Sequence, residues 1–583
     1  MRLTPRRPSF YRFRQQLADT DAIPQLVLLG LLTGLFTALV TTGFRELITF
    51  FTSLYLPTPD YDDFAALEWP LRLLLPLIGV AAIVTLFRLL HDPKHRLGIA
   101  HVIERLSLHQ GRLPLKPFLL QFFAGVAAIA SGHSIGREGP AVHLGAASGS
   151  LLGQWLHLPN NSLRVLVACG SAAAISSVFN TPIAGIVFAM EVVVMEYTVA
   201  GFIPVMLASV IAAVITRSLY GTEPAFHVPS LTVTTVNELP LIIITGITMG
   251  LLAVCFCRLI ILFARTNPYP LWLRLTCAAL LTGLTAIWLP QVMGIGYGTL
   301  SDIMFNNLGF TFLCLLTIGK LCTSAASVGL GVPGGLIGPS LFIGAAAGST
   351  VGSLTNMLGL SATVSGFPAM VGMSAMLGAV LQAPLTALIT VLELTRNPGI
   401  LLPSLIAIII AWLITSQLFR QQSIFTQMLS ADGLDFRHDP VAQALRRAGV
   451  ASVMSRSLQQ LERHCPFEQL HNALKTKPRW LLINNNGKPQ SLMPAVELAR
   501  QLEQLTFDAH YTLVETADLL GIPAKRLEVG AIDIKSTLHE ALRRMDQNSL
   551  NALYVVSRDR RNGDVITGII TRADIEAWYQ VPH

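Results

Sequence analysis

The sequence predicts a polytopic, all-α membrane domain with an inverted internal repeat and broken helices, followed by a small α/β domain. The chain of 583 residues is 52% hydrophobic and only 13% charged, whereas a soluble protein is about a quarter charged. Charge is concentrated near the end, because residues 437–583 hold 35 of the 75 Lys, Arg, Asp and Glu residues. The long apolar segments are also interrupted by Gly and Pro, which is typical of transporters.

Residues 1–23 are predicted to be a cytoplasmic N-terminal segment. Five arginines precede the first long apolar run, near Ile23 to Leu47, and positively charged flanks tend to stay in the cytoplasm. That run exceeds the apolar core of a signal peptide, and no small-residue cleavage site follows it. We therefore expect a retained first helix, and we interpret the net charge of +7 as a sign of orientation and not of nucleic-acid binding. The five residues are Arg2, Arg6, Arg7, Arg12 and Arg14.

The apolar region contains an internal repeat. Residues 139–153 (GPAVHLGAASGSLLG) align without gaps on residues 338–352 (GPSLFIGAAAGSTVG) with eight identities in fifteen. A second pair joins residues 170–193 to residues 372–395, and a fainter third pair joins Gly98 to Gly296. Three ordered pairs at nearly one offset indicate two homologous halves, which we place at 24–220 and 221–430.

A Gly-Pro step begins an apolar helix in each half, at 136–140 (GREGP) and at 335–339 (GLIGP). The first amides of a helix lack intrahelical partners and carry the positive end of its dipole, so they attract anions. Such a site stabilises an anion without a full positive charge and still allows it to leave. Acidic residues are scarce in both broken-helix stretches, which disfavours a cation pore.

Glu138 is the one acidic residue at such a helix start. A carboxylate inside a membrane is costly and marks a functional site by default. We predict a tethered anion that competes for the anion site when ionised and opens the path when protonated or displaced. The alternative is a capping glutamate paired with Arg137. Glu191 and Glu393 occupy matching places late in matching helices, and for them we favour structural hydrogen bonding.

Three motifs resemble those of the CLC family of chloride channels and transporters. They are GREGP at 136–140, FNTPIAGIVFAMEV at 179–192 and GVPGGLIGPSLFIGAAAG at 331–348. The resemblance implies a CLC-like fold, a homodimer with one pore per subunit, chloride as the transported ion and Glu138 as the gate. The implied anion-binding amides and pore-lining positions are Gly136, Arg137, Gly139, Leu336, Ile337, Gly338, Phe425 and Leu97.

The chain departs from the family at both side chains that usually donate to the central anion. The family's GSGIP motif aligns with Arg96 to Ala100, so Leu97 replaces a serine. Phe425 replaces the tyrosine of a Ser-Ile-Tyr stretch. We expect weaker central binding or an altered anion preference.

A third departure concerns proton coupling. Proton-coupled members usually carry an internal glutamate directly after the position of Glu191, and this chain has Val192 there. That favours a passive channel, with a chloride/proton antiporter as the alternative. Glu196 lies four residues further on and, on the same helical face, is a candidate proton relay. A CBS-based membrane sensor without flux is a third hypothesis, and the sequence offers no catalytic constellation for an enzyme.

Residues 445–583 resemble a pair of CBS domains, at about 445–500 and 525–583. Each half is predicted as a helix, a strand, a turn, a second strand and a closing helix. In nucleotide-binding CBS pairs a Thr and an Asp contact ribose and phosphate, and Thr571 and Asp574 match those types; the alternative is that they cap the last helix. We expect no cofactor apart from a candidate adenine nucleotide here, no metal site, and a multi-pass inner-membrane protein with cytoplasmic CBS domains.

Overall fold

The computed structural model divides the chain into two compact units. One contains residues 23–156 and 163–436, and the other contains residues 1–22, 157–162 and 437–583. The six arginines Arg2, Arg6, Arg7, Arg12, Arg14 and Arg96 lie outside the residues that the structure describes. The described residues are 13, 16–18, 22–57, 63–90, 97–222, 238–266, 268–305, 308–359, 366–434, 440–507, 516–559 and 563–580.

The first half of the membrane unit is a succession of helices. Proline or glycine stands at or near the start of several of them, where a missing amide or a free backbone is tolerated. The helices are α1 (Ile23–Ser53), α2 (Trp69–Leu90), α3 (Gly98–Leu108), α4 (Leu115–Ala130), α5 (Glu138–Trp155), α6 (Asn160–Phe179), α7 (Pro182–Phe188, continued by a π-helical turn Ala189–Val194) and α8 (Val199–Tyr220).

The second half follows the same order. Among the described residues, nine helices of the chain are long and apolar enough to cross a membrane, so this is a multi-pass membrane protein. The helices are α9 (Leu239–Ala264), α10 (Leu271–Trp288), α11 (Tyr297–Met304), α12 (Phe310–Gly329), α13 (Ile337–Met357), α14 (Phe367–Leu381), α15 (Pro384–Thr395), α16 (Leu401–Leu413, continued by a π-helical turn Ile414–Leu418) and α17 (Ile424–Ala431).

The packing of the helices repeats between the halves. In the first half α5 crosses α6 so closely that a Cβ at Gly145 would lie 2.2 Å from the carbonyl oxygen of Gly170. In the second half α13 crosses α14, and a Cβ at Gly344 would lie 2.5 Å from the carbonyl oxygen of Gly372. Small residues at helix crossings let two backbones approach in a membrane. The repeated sequence therefore encodes a repeated helix contact.

Glu191 and Glu393 exchange hydrogen bonds between the halves. Glu393 accepts from the backbone amides of Ile183 (3.1 Å) and Ala184 (2.8 Å) at the start of α7. Glu191 accepts from the amides of the matching residues of α15, Leu385 at 3.3 Å and Thr386 at 2.7 Å. Each carboxylate thus caps the start of the helix on which the other carboxylate lies. This confirms the structural hydrogen bonding expected for the pair.

The second unit contains a six-stranded sheet in the order β1-β3-β4-β6-β7-β8. Pairing is parallel between β1 and β3 and between β6 and β7, and antiparallel between β3 and β4 and between β7 and β8. The helix–strand–strand–helix order predicted for each half of the tail is present, and in each half two strands that were not predicted precede it. The strands are β1 (Leu458–Glu462), β2 (His464–Pro466), β3 (Trp480–Asn485), β4 (Lys488–Pro494), β5 (Thr516–Asp518), β6 (Leu527–Asp533), β7 (Ala552–Asp559) and β8 (Gly563–Thr571).

Helices cover this sheet with apolar faces. Leu470 and Leu498 pack with Leu481 in the first half, and Leu538 packs with Leu553 in the second half. Leu482, Leu492, Ala552 and Ile569 form an apolar cluster shared by both halves. The helices are α18 (Pro440–Arg447), α19 (Val450–Val453), α20 (Phe467–Lys475), α21 (Ala495–Phe507), α22 (Leu538–Gln547) and α23 (Arg572–Gln580).

Candidate anion pathway

The two broken-helix loops meet in the interior of the membrane unit. The amide of Gly136 donates to the carbonyl of Gly335 at 2.8 Å, and the amide of Gly335 donates to the carbonyl of Gly136 at 2.7 Å. A Cβ on Gly139 would lie 2.6 Å from the Cα of Gly335. Reciprocal bonds between matching residues place a local two-fold axis here, and side chains larger than hydrogen would push the loops apart. The starts of α5 and α13 are thereby held against each other.

Glu138 lies at this junction with its side chain fully buried. Its Oε2 accepts a hydrogen bond from the amide of Gly338, at the start of α13 in the other half, at 3.3 Å. Its Oε1 accepts from the hydroxyl of Tyr297 at 3.0 Å. The carboxylate of one half therefore occupies the anion-attracting start of the opposite helix.

Arg137 is also buried, with 7% of its surface exposed. Its guanidinium donates to the carbonyl of Val178 at 3.0 Å and lies 5.3 Å from the centre of the Tyr297 ring. A cation at this distance over an aromatic face is attracted by the ring quadrupole. Arg137 thus contacts the ring of Tyr297, and Glu138 contacts its hydroxyl.

Tyr297 contacts Glu138 and was not predicted from the sequence. It directly follows Gly296, the second-half partner of Gly98 in the faintest repeat pair. That pairing placed the segment near the pathway, but the first half has Ile99 after Gly98, so the repeat gave no hint of a hydroxyl. Tyr297 begins α11, and the left-handed backbone of Gly296 (φ 88°) turns the chain into that helix.

All of the predicted anion-binding residues of the second half are buried, and Gly338 contacts Glu138. Leu336 and Ile337 are 2% and 3% exposed, and a Cβ on Gly338 would lie 3.2 Å from Oε1 of Glu138. Phe425 of α17 is 4% exposed and belongs to the same hydrophobic core as Leu336 and Ile337. Of these residues, Gly338 provides the backbone amide that donates to the carboxylate.

Leu97 lines a cavity of about 340 Å³ that also reaches Gly334, next to the junction. The amide of Gly98 next to it donates to the side chain of Gln121 at 2.8 Å. His101, Glu104 and Arg274 line the same cavity. This cavity gives the interior of the membrane unit polar groups and space for water.

Val192 and Glu196 differ in their surroundings. Val192 is 2% exposed within the π-helical turn. That turn ends at Val194, and Met195 adopts a left-handed conformation with φ 58°. The expectation that Glu196 shares a helical face with Val192 is therefore wrong, because the chain leaves the helix before reaching Glu196.

Thr571 and Asp574 are hydrogen-bonded to each other at the start of α23. The Thr571 amide and hydroxyl donate to Oδ2 of Asp574 at 3.0 Å and 2.6 Å, and the Asp574 amide donates back to the Thr571 hydroxyl at 3.2 Å. This reciprocal arrangement resembles a capping box. Among the residues that the structure describes, no group of three or more His, Cys, Asp or Glu side chains could hold a metal ion.

A buried carboxylate at the meeting point of two symmetry-related half-helices defines a membrane transport protein for a small anion. Comparison with known proteins identifies the family. The sequence model of the voltage-gated chloride channel family matches residues 79–416, and that of the CBS domain matches residues 525–580. The chain belongs to the voltage-gated chloride channel (CLC) family and carries a C-terminal CBS domain.

Curated relatives fall in the same family. A ClcB-like chloride channel protein of Ralstonia nicotianae is 32% identical over 433 residues, which is 72% of this chain and all of that protein. The H(+)/Cl(-) exchange transporter ClcA of Vibrio cholerae is 28% identical over 435 residues, which is 71% of this chain and 91% of that protein.

Solved structures share the fold. A slow cyanobacterial Cl-/H+ antiporter matches with a TM-score of 0.61 at 20% identity, covering 74% of this chain and 99% of that one. A eukaryotic CLC transporter matches with a TM-score of 0.56 at 20% identity, covering 97% of this chain and 98% of that one. The predicted all-α membrane domain with a CBS region is thereby confirmed, and chloride transport is supported.

Proposed function

We propose that the protein exchanges chloride for protons across the bacterial inner membrane, with Glu138 as both gate and proton acceptor. The main support is the position of the Glu138 carboxylate, which accepts a hydrogen bond from the Gly338 amide at the start of the opposite half-helix. An ionised carboxylate there competes with chloride for the same amides. Protonation removes the negative charge, so the side chain leaves and chloride enters.

Exchange is favoured over passive conduction by the relatives described as H(+)/Cl(-) exchange transporters. A passive channel is the second candidate. It is supported by the ClcB-like relative, which is described as a chloride channel protein, and by Val192, because valine cannot take up a proton at the position where proton-coupled members usually carry a glutamate.

Flux in reconstituted lipid vesicles tests the proposal. An outward chloride gradient should drive proton uptake against a proton gradient in the wild type, and Glu138→Ala should move chloride without protons. Chloride movement by the wild type with no proton uptake would favour the channel. Unchanged flux and pH dependence in Glu138→Ala would remove Glu138 from the gate.

Further features belong to the same proposal. We propose a homodimer whose N-terminal segment and CBS domains face the cytoplasm, as the arginines before α1 suggest. Glu196 stays a candidate relay. We also propose Thr571 and Asp574 as contacts of an adenine nucleotide, and Asp574→Ala should then abolish nucleotide binding to the full-length protein.

A further inference from the structure

Two buried histidines form a direct contact between α3 and α5. Nδ1 of His101 lies 2.9 Å from Nε2 of His143, and the two side chains are 7% and 0% exposed. A neutral imidazole carries one donor and one acceptor nitrogen. Nδ1 of His143 has no hydrogen-bond partner among the described residues, so one nitrogen of the pair is left to exchange a proton with another group or a water molecule.

One end of the histidine pair reaches the cavity of about 340 Å³. His101 and Glu104, one helical turn apart on α3, both line it. Asp432, which lines the same cavity, is exposed, so the cavity opens to the surface. Its volume holds several water molecules. A proton from solution can therefore reach Glu104 or the ring of His101.

The other end of the pair lies on α5, the helix that begins at Glu138. His143 lies five residues after Glu138 on the same helix, a distance of about 7.5 Å along the helix axis. Both side chains are fully buried. Glu104 and His101 thus line the cavity, His101 contacts His143, and His143 shares a helix with Glu138.

We propose that His101 and His143 carry protons between this cavity and Glu138, with Glu104 as the entry group. This inference rests on the proposed chloride/proton exchange. It provides a proton route in a chain whose Val192 cannot transfer a proton. Histidine is the side chain whose protonation changes most readily near neutral pH, and chains of Asp, Glu and His form proton relays in membrane transporters.

The transfer balances one proton in against one proton out. Neutral His101 takes a proton at Nε2 from Glu104 or cavity water and hands its Nδ1 proton to Nε2 of His143. His143 then releases its own Nδ1 proton toward the carboxylate of Glu138, which accepts it. Rotation of the rings or exchange of tautomers restores the starting state. Each step breaks one N–H or O–H bond and forms another, and no oxidant or metal is involved.

Charged groups around the pair set the pH range of the relay. Glu104 lies on α3 itself, and Glu138 begins α5. Arg274 of α10 and Asp432 after α17 line the cavity from the opposite side. Arg105 follows Glu104 and Glu191 lies on the π-helical turn that packs against α3.

The test compares proton and chloride movement in vesicles that contain the full-length protein. His101→Gln and His143→Gln retain hydrogen-bonding groups but cannot carry a proton. Each should keep chloride flux within about twofold of the wild type and lower the proton uptake per chloride by about tenfold or more, as expected when a proton-transfer group is removed. Glu104→Gln should have a smaller effect, because cavity water can still protonate His101.

His471→Gln is the matched control, because His471 is exposed on α20 of the second unit and should change neither flux. An unchanged proton-to-chloride ratio in both His101→Gln and His143→Gln, with a coupled wild type, would overturn the relay but leave the exchange intact. A wild type that moves chloride without protons would overturn the exchange and the relay together. Loss of chloride flux in parallel with proton uptake in both variants would also overturn the relay, because the histidines would then support the chloride path or the packing.

Discussion

The first half of the membrane unit begins its broken helix with Gly-Arg-Glu-Gly-Pro at 136–140, and the second half has Gly-Leu-Ile-Gly-Pro at 335–339. The glycines that pair the two loops are common to both, and so are the glycine crossings behind them. Of the two helices that begin at these loops, only α5 of the first half carries ionisable residues. Glu138 is matched by Ile337, and His143 by Phe342.

This difference separates two kinds of residue. Those that repeat, such as Gly145 and Gly344 or Glu191 and Glu393, pack helices and cap helix starts. Those that do not repeat, Glu138, His143 and Tyr297, lie along the proposed path. Folding needs both halves to pack alike, whereas one gate needs one carboxylate. Substitutions in residues of either kind test this distinction.

The largest effect is expected when the second half receives its own carboxylate. Ile337→Glu would place an acidic group at a site that is 3% exposed, close to Glu138 across the local two-fold axis. A buried charge without a compensating partner costs several kcal/mol, and two neighbouring carboxylates repel each other. We expect a thermal unfolding temperature in detergent well below that of the wild type. Chloride flux should be at least about tenfold lower, which corresponds to a barrier higher by about 1.4 kcal/mol.

Ile337→Gln is the control for size and polarity without charge, and it should unfold closer to the wild type. If Ile337→Glu unfolds at the wild-type temperature and conducts normally, the junction has room for two carboxylates. The asymmetry between the halves would then lack a physical basis.

Much of this comparison could be predicted from the sequence. The spacing of the repeats located the two broken helices, and a single acidic residue at one helix start identified Glu138. The matching positions of Glu191 and Glu393 indicated their shared structural role. These inferences work because a local motif determines where a helix begins and which face of it is small.

Contacts between distant segments could not be predicted in this way. The bond from Tyr297 to Glu138 joins residues 159 positions apart, and that between His101 and His143 joins residues 42 apart. Neither pair shares a repeat or a period. The end of the π-helical turn before Glu196 was missed because hydrophobic periodicity does not register a left-handed residue such as Met195.

The second effect concerns the glycine crossings, where the halves are expected to respond alike. Gly145→Ala and Gly344→Ala would each push a methyl group to within 2.2 Å and 2.5 Å of a carbonyl oxygen. Overpacking of this kind costs about 1–3 kcal/mol, so both variants should unfold at lower temperature than the wild type by similar amounts. Gly43→Ala on α1 is the control, because no atom lies within 4 Å of a Cβ there. A normal unfolding temperature for one of the two variants would show that only one crossing is tight.

The third effect concerns the carboxylate caps. Glu191→Gln and Glu393→Gln replace a charge-assisted hydrogen bond to helix amides by a neutral one of about half the strength. We expect each to lower the free energy of unfolding by about 1–2 kcal/mol, measured by denaturation in detergent. Glu468→Gln, at an exposed position of α20, should have no effect. Equal stability of all three variants would mean that the caps contribute nothing.

The smallest effect is a difference between these two caps. Glu191 accepts a third bond, from the hydroxyl of Thr386 at 2.6 Å, whereas the residue that matches Thr386 in the first half is Ala184. Thr386→Ala should therefore lower the free energy of unfolding by about 1 kcal/mol and should make the two caps equivalent. In the Glu191→Gln background the same substitution should cost less, because the hydroxyl then bonds a neutral amide. A double-mutant cycle measures this coupling. Additive effects would show that the hydroxyl and the carboxylate act independently, so the extra bond would not explain any difference between the halves.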